Sequence, residues 1–321
     1  MATSSGGLRS RRAEGYVHVA RFGVPGPGSA EVLLPELTAG LEAGDTVVLA
    51  CSSGLGTALR QRLPAEAVHT VDPALLSGRA PDALAGYTAL LDRFTGTRVH
   101  LVTDSSGVHG AGVPAWLQTE ALLNHVLADR AVDHYCVVDD RALGAAADQA
   151  MSCHPWVLAA DGPVLNPTRR DPAEVLRSLW SAPEADPLEA TRPTLEVEDV
   201  GSMRELRRAL TSSLAGGPLD PAGAEDLVLA IDEVVANAAE HGVPPVDVRL
   251  WVTERRVLCV VADRGQGFDE PLAGYGPAHG DDLSVGGMGL WLARRAVDRM
   301  TTAPLENGDG CVVRLVVDPR G

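Results

Sequence analysis

The sequence predicts two domains of different class. An α/β domain with a mostly parallel sheet comes first, and an α+β domain built as a two-layer sandwich follows. Three observations predict this. The 321 residues suffice for two separate cores. The stretch SAPEADPLEATRP, residues 181–193, is rich in Pro, Ala and acid, lacks apolar periodicity and reads as an exposed linker. Before it, short apolar runs alternate with helical patterns, whereas after it helices and paired strands segregate.

Taken in order, residues 1–14 of MATSSGGLRSRRAEG lack the apolar core of a signal peptide and read as a loose tail. The first domain is expected over 15–180. TVVLA (46–50) has the pattern of a buried strand and leads through CSSGLGT into a helix around 56–63. RVHLVTD (98–104), DHYCVVDD (133–140) and WVLAAD (156–161) are further strands, with helices at TEALLNHVLADR (119–130) and RALGAAADQAM (141–151). The second domain is expected over 194–318. TLEVEDV (194–200) reads as a strand and SMRELRRALTSSL (202–214) as a helix. Asp220–His241 reads as a long helix: Pro221 suits its first turn, and Leu227, Ile231, Val234 and Ala238 share one face. VDVRLWVT and RVLCVVAD pair around Glu254-Arg255. A Gly-rich stretch (264–287), a helix at GLWLARRAVDRM and a last strand, CVVRLVVD, complete the chain.

Composition excludes several classes of function. A net charge of −16 argues against direct contact with a nucleic-acid backbone. All 27 basic residues are Arg, which removes the Walker A lysine, Schiff-base chemistry and lysine general bases. Five Cys without close CxxC spacing read as reduced thiols, and no apolar run is long enough for a membrane span. These features together predict a soluble, cytoplasmic protein.

Three stretches of the second domain carry chemistry. In EVVANAAEH, Glu233, Asn237 and His241 recur every four residues along one flank of the apolar stripe. Asn is a poor helix former, and this chain uses it only four times. A carboxamide oxygen suits Mg²⁺ and a carboxylate can take a hydroxyl proton, although the same spacing also describes a solvated helix face. In DRGQGF, Asp263 ends a strand where it can accept from an amine such as that of adenine. Gly265 and Gly267 then permit close backbone approach, as an ordinary strand exit also would. In GGMGL, Gly287 and Gly289 lead into a helix whose N-terminal N–H groups can bind phosphate without a basic side chain; a plain loop-to-helix turn looks the same.

In this order and setting, EVVANAAEHG, DRGQGF and GGMGLWLARR resemble the N box and two glycine boxes of the GHKL ATPase superfamily. The short form, without a transducer domain, is most similar to the anti-sigma-factor serine/threonine kinases. The resemblance implies that Glu233 is the general base and Asn237 the Mg²⁺ ligand. His241 closes the N box, Asp263 holds adenine with Gly265 and Gly267 beside it, and Gly287 and Gly289 line the phosphates under a lid of residues 269–285. It further implies binding of ATP, a sigma factor and an anti-anti-sigma (STAS) protein whose Ser or Thr is phosphorylated, and a homodimer through this domain. Family members often carry Thr near the start of the last strand. Cys311 or Val312 stands there in this chain, which favours a rival reading as a nucleotide-gated binding module without useful catalysis. A stand-alone metabolic ATPase lacks any substrate-site motif. A histidine kinase needs a phosphoacceptor His on a preceding helical hairpin, and residues 155–240 contain no His.

In the first domain, CSSGLGT lies where a phosphate loop would sit but lacks its Lys. Cys136, Cys153 and His154, with Asp139, are a candidate metal or redox group in no recognised zinc spacing, and buried free thiols are the common alternative. The AGD opening before a strand–Gly turn, EALLNHVL, the YCVVDD strand and CHPWVL resemble the MEDS sensory domain, which is RecA-like without its phosphate loop. That resemblance implies a sensor for an unknown ligand.

Overall fold

The structure, a computed structural model, describes residues 15–180, 185–267, 271–272, 274–275, 289–305 and 310–319. The chain divides into two compact units, Met1–Leu176 and Arg177–Gly321.

The first unit is a seven-stranded sheet in the order β3-β2-β4-β5-β1-β6-β7. Its strands are β1 Tyr16–Phe22, β2 Thr46–Ala50, β3 Val68–Thr70, β4 Val99–Asp104, β5 Val132–Val138, β6 Trp156–Ala159 and β7 Gly162–Leu165. All neighbours run parallel except β6 and β7. The alternating pattern of β1 places Val17 and Val19 in an apolar layer with Val47, Leu49, Val102, Tyr135 and Val137. Helices α1 (Pro27–Glu42) and α2 (Ser53–Arg60) cover that layer through Leu33, Leu37, Leu55 and Leu59. On the opposite face Tyr16, His18, Thr103, His134 and Cys136 alternate with these residues. Helices α3 (Ala80–Leu91), α4 (Val113–Val126) and α5 (Ala147–Cys153) complete the unit.

Several sequence expectations shift here. The helix expected over 119–130 begins at Val113 and ends at Val126. The one expected over 141–151 breaks at Gly144 (φ 53°) into Asp140–Leu143 and α5. β1, the strand beside β5 near the middle of the sheet, and α1 had no counterpart in the sequence reading. At the phosphate-loop position, the backbone N–H of Ser52 donates to Asp104 Oδ2 at 2.6 Å, so a carboxylate already faces the start of α2.

The second unit is a five-stranded antiparallel sheet in the order β11-β12-β10-β9-β8. Its strands are β8 Leu195–Val197, β9 Asp247–Thr253, β10 Arg256–Asp263, β11 Arg299–Pro304 and β12 Cys311–Val317. Helix α6 (Pro172–Trp180) spans the boundary between the units, and α7 (Met203–Leu214), α8 (Pro221–His241) and α9 (Gly289–Ala296) belong to the second. Asp220 caps α8 by accepting from the Gly223 N–H at 2.7 Å. Leu227, Ile231 and Val234 of α8 are buried with Leu206 and Leu210 of α7 against Val248, Leu250, Val257, Cys259, Val313 and Leu315.

The expected helix 289–300 stops at Ala296. Arg299–Pro304 instead forms β11, whose backbone groups pair with β12. The described part of the expected linker carries structure of its own. Residues 187–190 form a 3₁₀ turn with a capping box from Asp186 and Glu189. Glu189 takes two hydrogen bonds from Arg314 (2.6 and 3.1 Å), Asp186 pairs with Arg256 at 3.0 Å, and Trp251 Nε1 donates to the Thr191 carbonyl at 3.1 Å. Leu188 packs on the sheet's other face against the cluster of Trp251, Leu258, Val260 and Val316.

Candidate functional site

The site begins at the end of β10, which delivers Asp263, only 7% exposed. Its Oδ1 accepts from the Gly265 N–H at 2.6 Å and the Val243 N–H at 3.3 Å. One carboxylate therefore latches the loop after β10 to the chain leaving α8, the helix that bears Glu233, Asn237 and His241. The latch requires glycine. A Cβ at Gly242 would lie 2.7 Å from Asp263 Cγ and Oδ1 and 2.5 Å from the Ala238 carbonyl oxygen; at Gly265 it would lie 2.7 Å from Asp263 Oδ1.

Gly267 holds a left-handed φ of 74° and lies against Cys311, whose Sγ a Cβ would meet at 2.8 Å. Cys311 is directly opposite Asp263 in the β10–β12 ladder. Burial, then the neighbouring Asp263 charge, pushes its thiol up to about 11.

Gly289 is the first residue of α9 and stands on Glu233. A Cβ there would collide with Glu233 Oε2 and lie 3.2 Å from its Cδ. The missing side chain lets the first described turn of α9 stand against the Glu233 carboxylate. Glu233 and Asn237 are half-buried one turn apart, and His241 is exposed in the last turn. Gly287 and most of the expected lid, 269–285, lie outside the described residues. Within the lid, Gly274 packs on Leu290, and the Tyr275 hydroxyl accepts from Arg294 at 3.1 Å beneath a guanidinium 4.4 Å from the ring centre.

Glu233 and Gly289 thus meet at one point, and Asp263, Gly265, Gly267 and Cys311 at another, joined through α8 and the Gly242–Val243 exit. Sequence reasoning missed Gly242, although a Gly directly after a helical pattern marks a C-cap, and it missed the Tyr275–Arg294 contact, for which no pattern exists. The first-unit group does not converge as expected. Asp139 caps the helix Asp140–Leu143 through the Ala142 N–H at 3.2 Å, and Cys153 Sγ donates to the Gln149 carbonyl at 3.3 Å. Burial raises both the Cys136 and Cys153 thiols, which keeps them protonated. No described helix is long and apolar enough to cross a membrane.

Residues 197–317 match the family described as histidine kinase-like ATPase domain. The chain is 34% identical over 102 residues to the serine-protein kinase RsbW of Bacillus subtilis, covering 28% of this chain and 62% of that one. It is 39% identical over 88 residues to the Bacillus licheniformis protein of the same name, covering 24% and 55%. The chain therefore spans less than two thirds of the length of these relatives. Among solved structures, Acinetobacter baumannii histidine kinase AdeS is similar at 14% identity with a TM-score of 0.23, over 46% of this chain and 76% of that one; a likeness at that level bears no weight for the fold. The family match falls on the stretch that holds the Asp263 latch and the Glu233–Gly289 contact, so the second unit of this chain is similar to a histidine kinase-like ATPase domain.

Proposed function

We propose that the protein is an anti-sigma-factor serine/threonine kinase that binds Mg-ATP, holds a sigma factor and phosphorylates a Ser or Thr of an anti-anti-sigma (STAS) partner. The first unit would act as a MEDS-type, RecA-like sensor over residues 15–180, and the kinase would pair as a homodimer through residues 194–318. The observation that carries this reading is the contact of Gly289 with Glu233, which sets a carboxylate base against a helix start suited to phosphate. In this reading Glu233 takes the proton of the attacking hydroxyl at its carboxylate, and the α9 N–H groups receive the transferred phosphate's charge. Asp263 spends Oδ1 on the Gly265 and Val243 N–H groups, which orients Oδ2 as acceptor for the adenine amine. Gly265 and Gly267 keep side chains out of the base's path. Asn237, half-buried on the Glu233 flank, offers an oxygen of the hard type Mg²⁺ takes, and His241 closes that flank. When bound there, Mg²⁺ would neutralise phosphate charge. Gly287 is assigned to the same phosphate site by its place in GGMGL.

The second reading is a nucleotide-gated binding module without useful transfer. The observation favouring it is Cys311, seated on Gly267 opposite Asp263, where it narrows the pocket wall. One experiment separates the two: labelled ATP and Mg²⁺ with each anti-anti-sigma protein of the same genome, beside nucleotide binding. Transfer that is lost in Glu233→Ala while ATP binding persists, and lost in Asn237→Ala, supports the kinase. Undiminished transfer by Glu233→Ala sinks the mechanism, and ATP binding without transfer to any partner selects the module.

A further inference from the structure

The helix-covered polar face of the first sheet holds several imidazoles, and they differ in how they are satisfied. His134 uses both ring nitrogens, Nδ1 with the Tyr16 hydroxyl and Nε2 with the Thr103 hydroxyl, each at 2.7 Å. His18 and His154 are otherwise. His18 projects from β1, and His154 stands at the end of α5. Glu120 reaches them from α4, and all three are at most 1% exposed. Glu120 Oε2 lies 3.2 Å from His18 Nε2 and 3.0 Å from His154 Nε2. None of these three atoms has a hydrogen-bond partner among the described residues, and neither has His18 Nδ1.

The tautomer of His154 sharpens the point. Its Nδ1 lies 2.7 Å from the Ala150 carbonyl oxygen, which can only accept, so Nδ1 carries the proton. As a neutral ring it would turn the Nε2 lone pair toward a carboxylate oxygen. An acceptor facing an acceptor inside a protein core is repulsive, and a buried carboxylate without a cation is costlier still. Something positive belongs between them.

We propose that His18 Nε2, His154 Nε2 and Glu120 Oε2 bind a divalent first-row transition-metal ion such as Zn²⁺ or Fe²⁺. At metal–ligand bonds of about 2.0–2.2 Å, donors in tetrahedral or octahedral arrangement stand about 3.0–3.5 Å apart, as the two measured separations do. The three donor atoms all lie within 4.8 Å of one another. The His154–Ala150 bond is the outer-shell contact that fixes a ligating imidazole, and the His18 ring is held by stacking on His134 at 4.9 Å. Two imidazoles and one carboxylate select a borderline ion over Mg²⁺ or Ca²⁺, and they leave a coordination position for a small Lewis base. The ion would join β1, α4 and the α5–β6 turn, so it is acquired as the unit folds.

The test uses the full-length chain. Metal is measured by mass spectrometry in protein isolated from metal-replete medium. Separately, chelator-stripped, unfolded protein is refolded with one equivalent of Co²⁺ and its visible spectrum recorded. The expected result is about one tightly held ion per chain by the first route and d–d bands of imidazole-bound Co²⁺ by the second. His154→Ala and the near-isosteric Glu120→Gln should each weaken Co²⁺ binding more than about tenfold. Glu254→Gln, exposed on the β9–β10 turn of the other unit, should leave it unchanged. Wild-type chain that holds less than about a tenth of an equivalent as isolated overturns the proposal, leaving a protonated His154 paired with Glu120. Metal that survives Glu120→Gln and His154→Ala, or departs with Glu254→Gln, overturns it equally.

Discussion

Gly242→Ala tests the latch between α8 and Asp263. The added methyl would lie 2.5 Å from the Ala238 carbonyl oxygen and 2.7 Å from the Asp263 carboxylate, against the roughly 3.5 Å of comfortable contact. Neither neighbour yields cheaply. The carbonyl belongs to the last turn of α8 and accepts the Gly242 N–H at 3.0 Å, and the carboxylate is held by two backbone donors. Overpacking of this kind costs about 1–3 kcal/mol. The φ of −86° at Gly242 is one alanine adopts freely, so the substitution regains about 0.4–1 kcal/mol through the unfolded chain. The net loss is about 1–2 kcal/mol, or roughly 3–7 °C in the melting of the second unit. If Asp263 holds adenine as proposed, its displacement also loses a charge-assisted bond of about 1.5–3 kcal/mol, which weakens nucleotide binding about 10- to 100-fold. Scanning calorimetry and titration with a fluorescent ATP analogue read the two effects. Unchanged melting and affinity would refute the latch; lower melting with full affinity would remove Asp263 from the base pocket.

The other predictions touch neighbouring contacts. Gly289→Ala pushes the Glu233 carboxylate aside by about 1 Å, so transfer should fall on the order of 100-fold while nucleotide affinity changes little; equal losses in both would place Glu233 outside the chemistry. Glu189→Gln keeps an acceptor for the Asp186 N–H but leaves Arg314 without its carboxylate, costing about 1–3 kcal/mol in urea unfolding, and a neutral result would make the turn ornamental. The Cys311 thiol is raised from 9.0 to about 11, so the unfolded chain releases this proton first as pH rises. Its contribution is therefore intact below pH 9 and lost between pH 9 and 11, and Cys311→Ala should flatten that part of the alkaline stability profile.

The candidate site was legible because its residues sit in short stretches: Glu233 and Asn237 one turn apart, and Asp263 two and four residues before its glycines. β10 was legible as an apolar run and β12 as one broken only by Arg314. β1 was not, because YVHVARF alternates Val17 and Val19 with Tyr16 and His18, and His18 is as buried as the valines. α1 was obscured by Pro35 inside it. β11 was misread because Ala293, Ala296, Val297 and Met300 continue the helical spacing of α9, and pairing with β12 outweighs that local preference. His18, Glu120 and His154 come from three distant elements, so only the fold brings them together. Asp139, close to Cys136 in sequence, went instead to a helix cap.

The turn at 186–191 changes where the ATPase domain should be cut. A fragment starting at Thr194, where the strand pattern begins, sheds Asp186, Leu188, Glu189 and Thr191 at once. Arg314 then loses its carboxylate, Arg256 keeps only Asp318 of its two, the Trp251 indole loses its acceptor, and the apolar patch around Leu258 and Val316 meets water. Such a fragment would be prone to self-association through that patch, and its poor behaviour would be mistaken for dependence on the first unit. A fragment from residue 185 keeps all of these contacts. The smallest self-contained form of the second unit thus begins about a dozen residues before the family match, and what composition marks as tether is its outer wall.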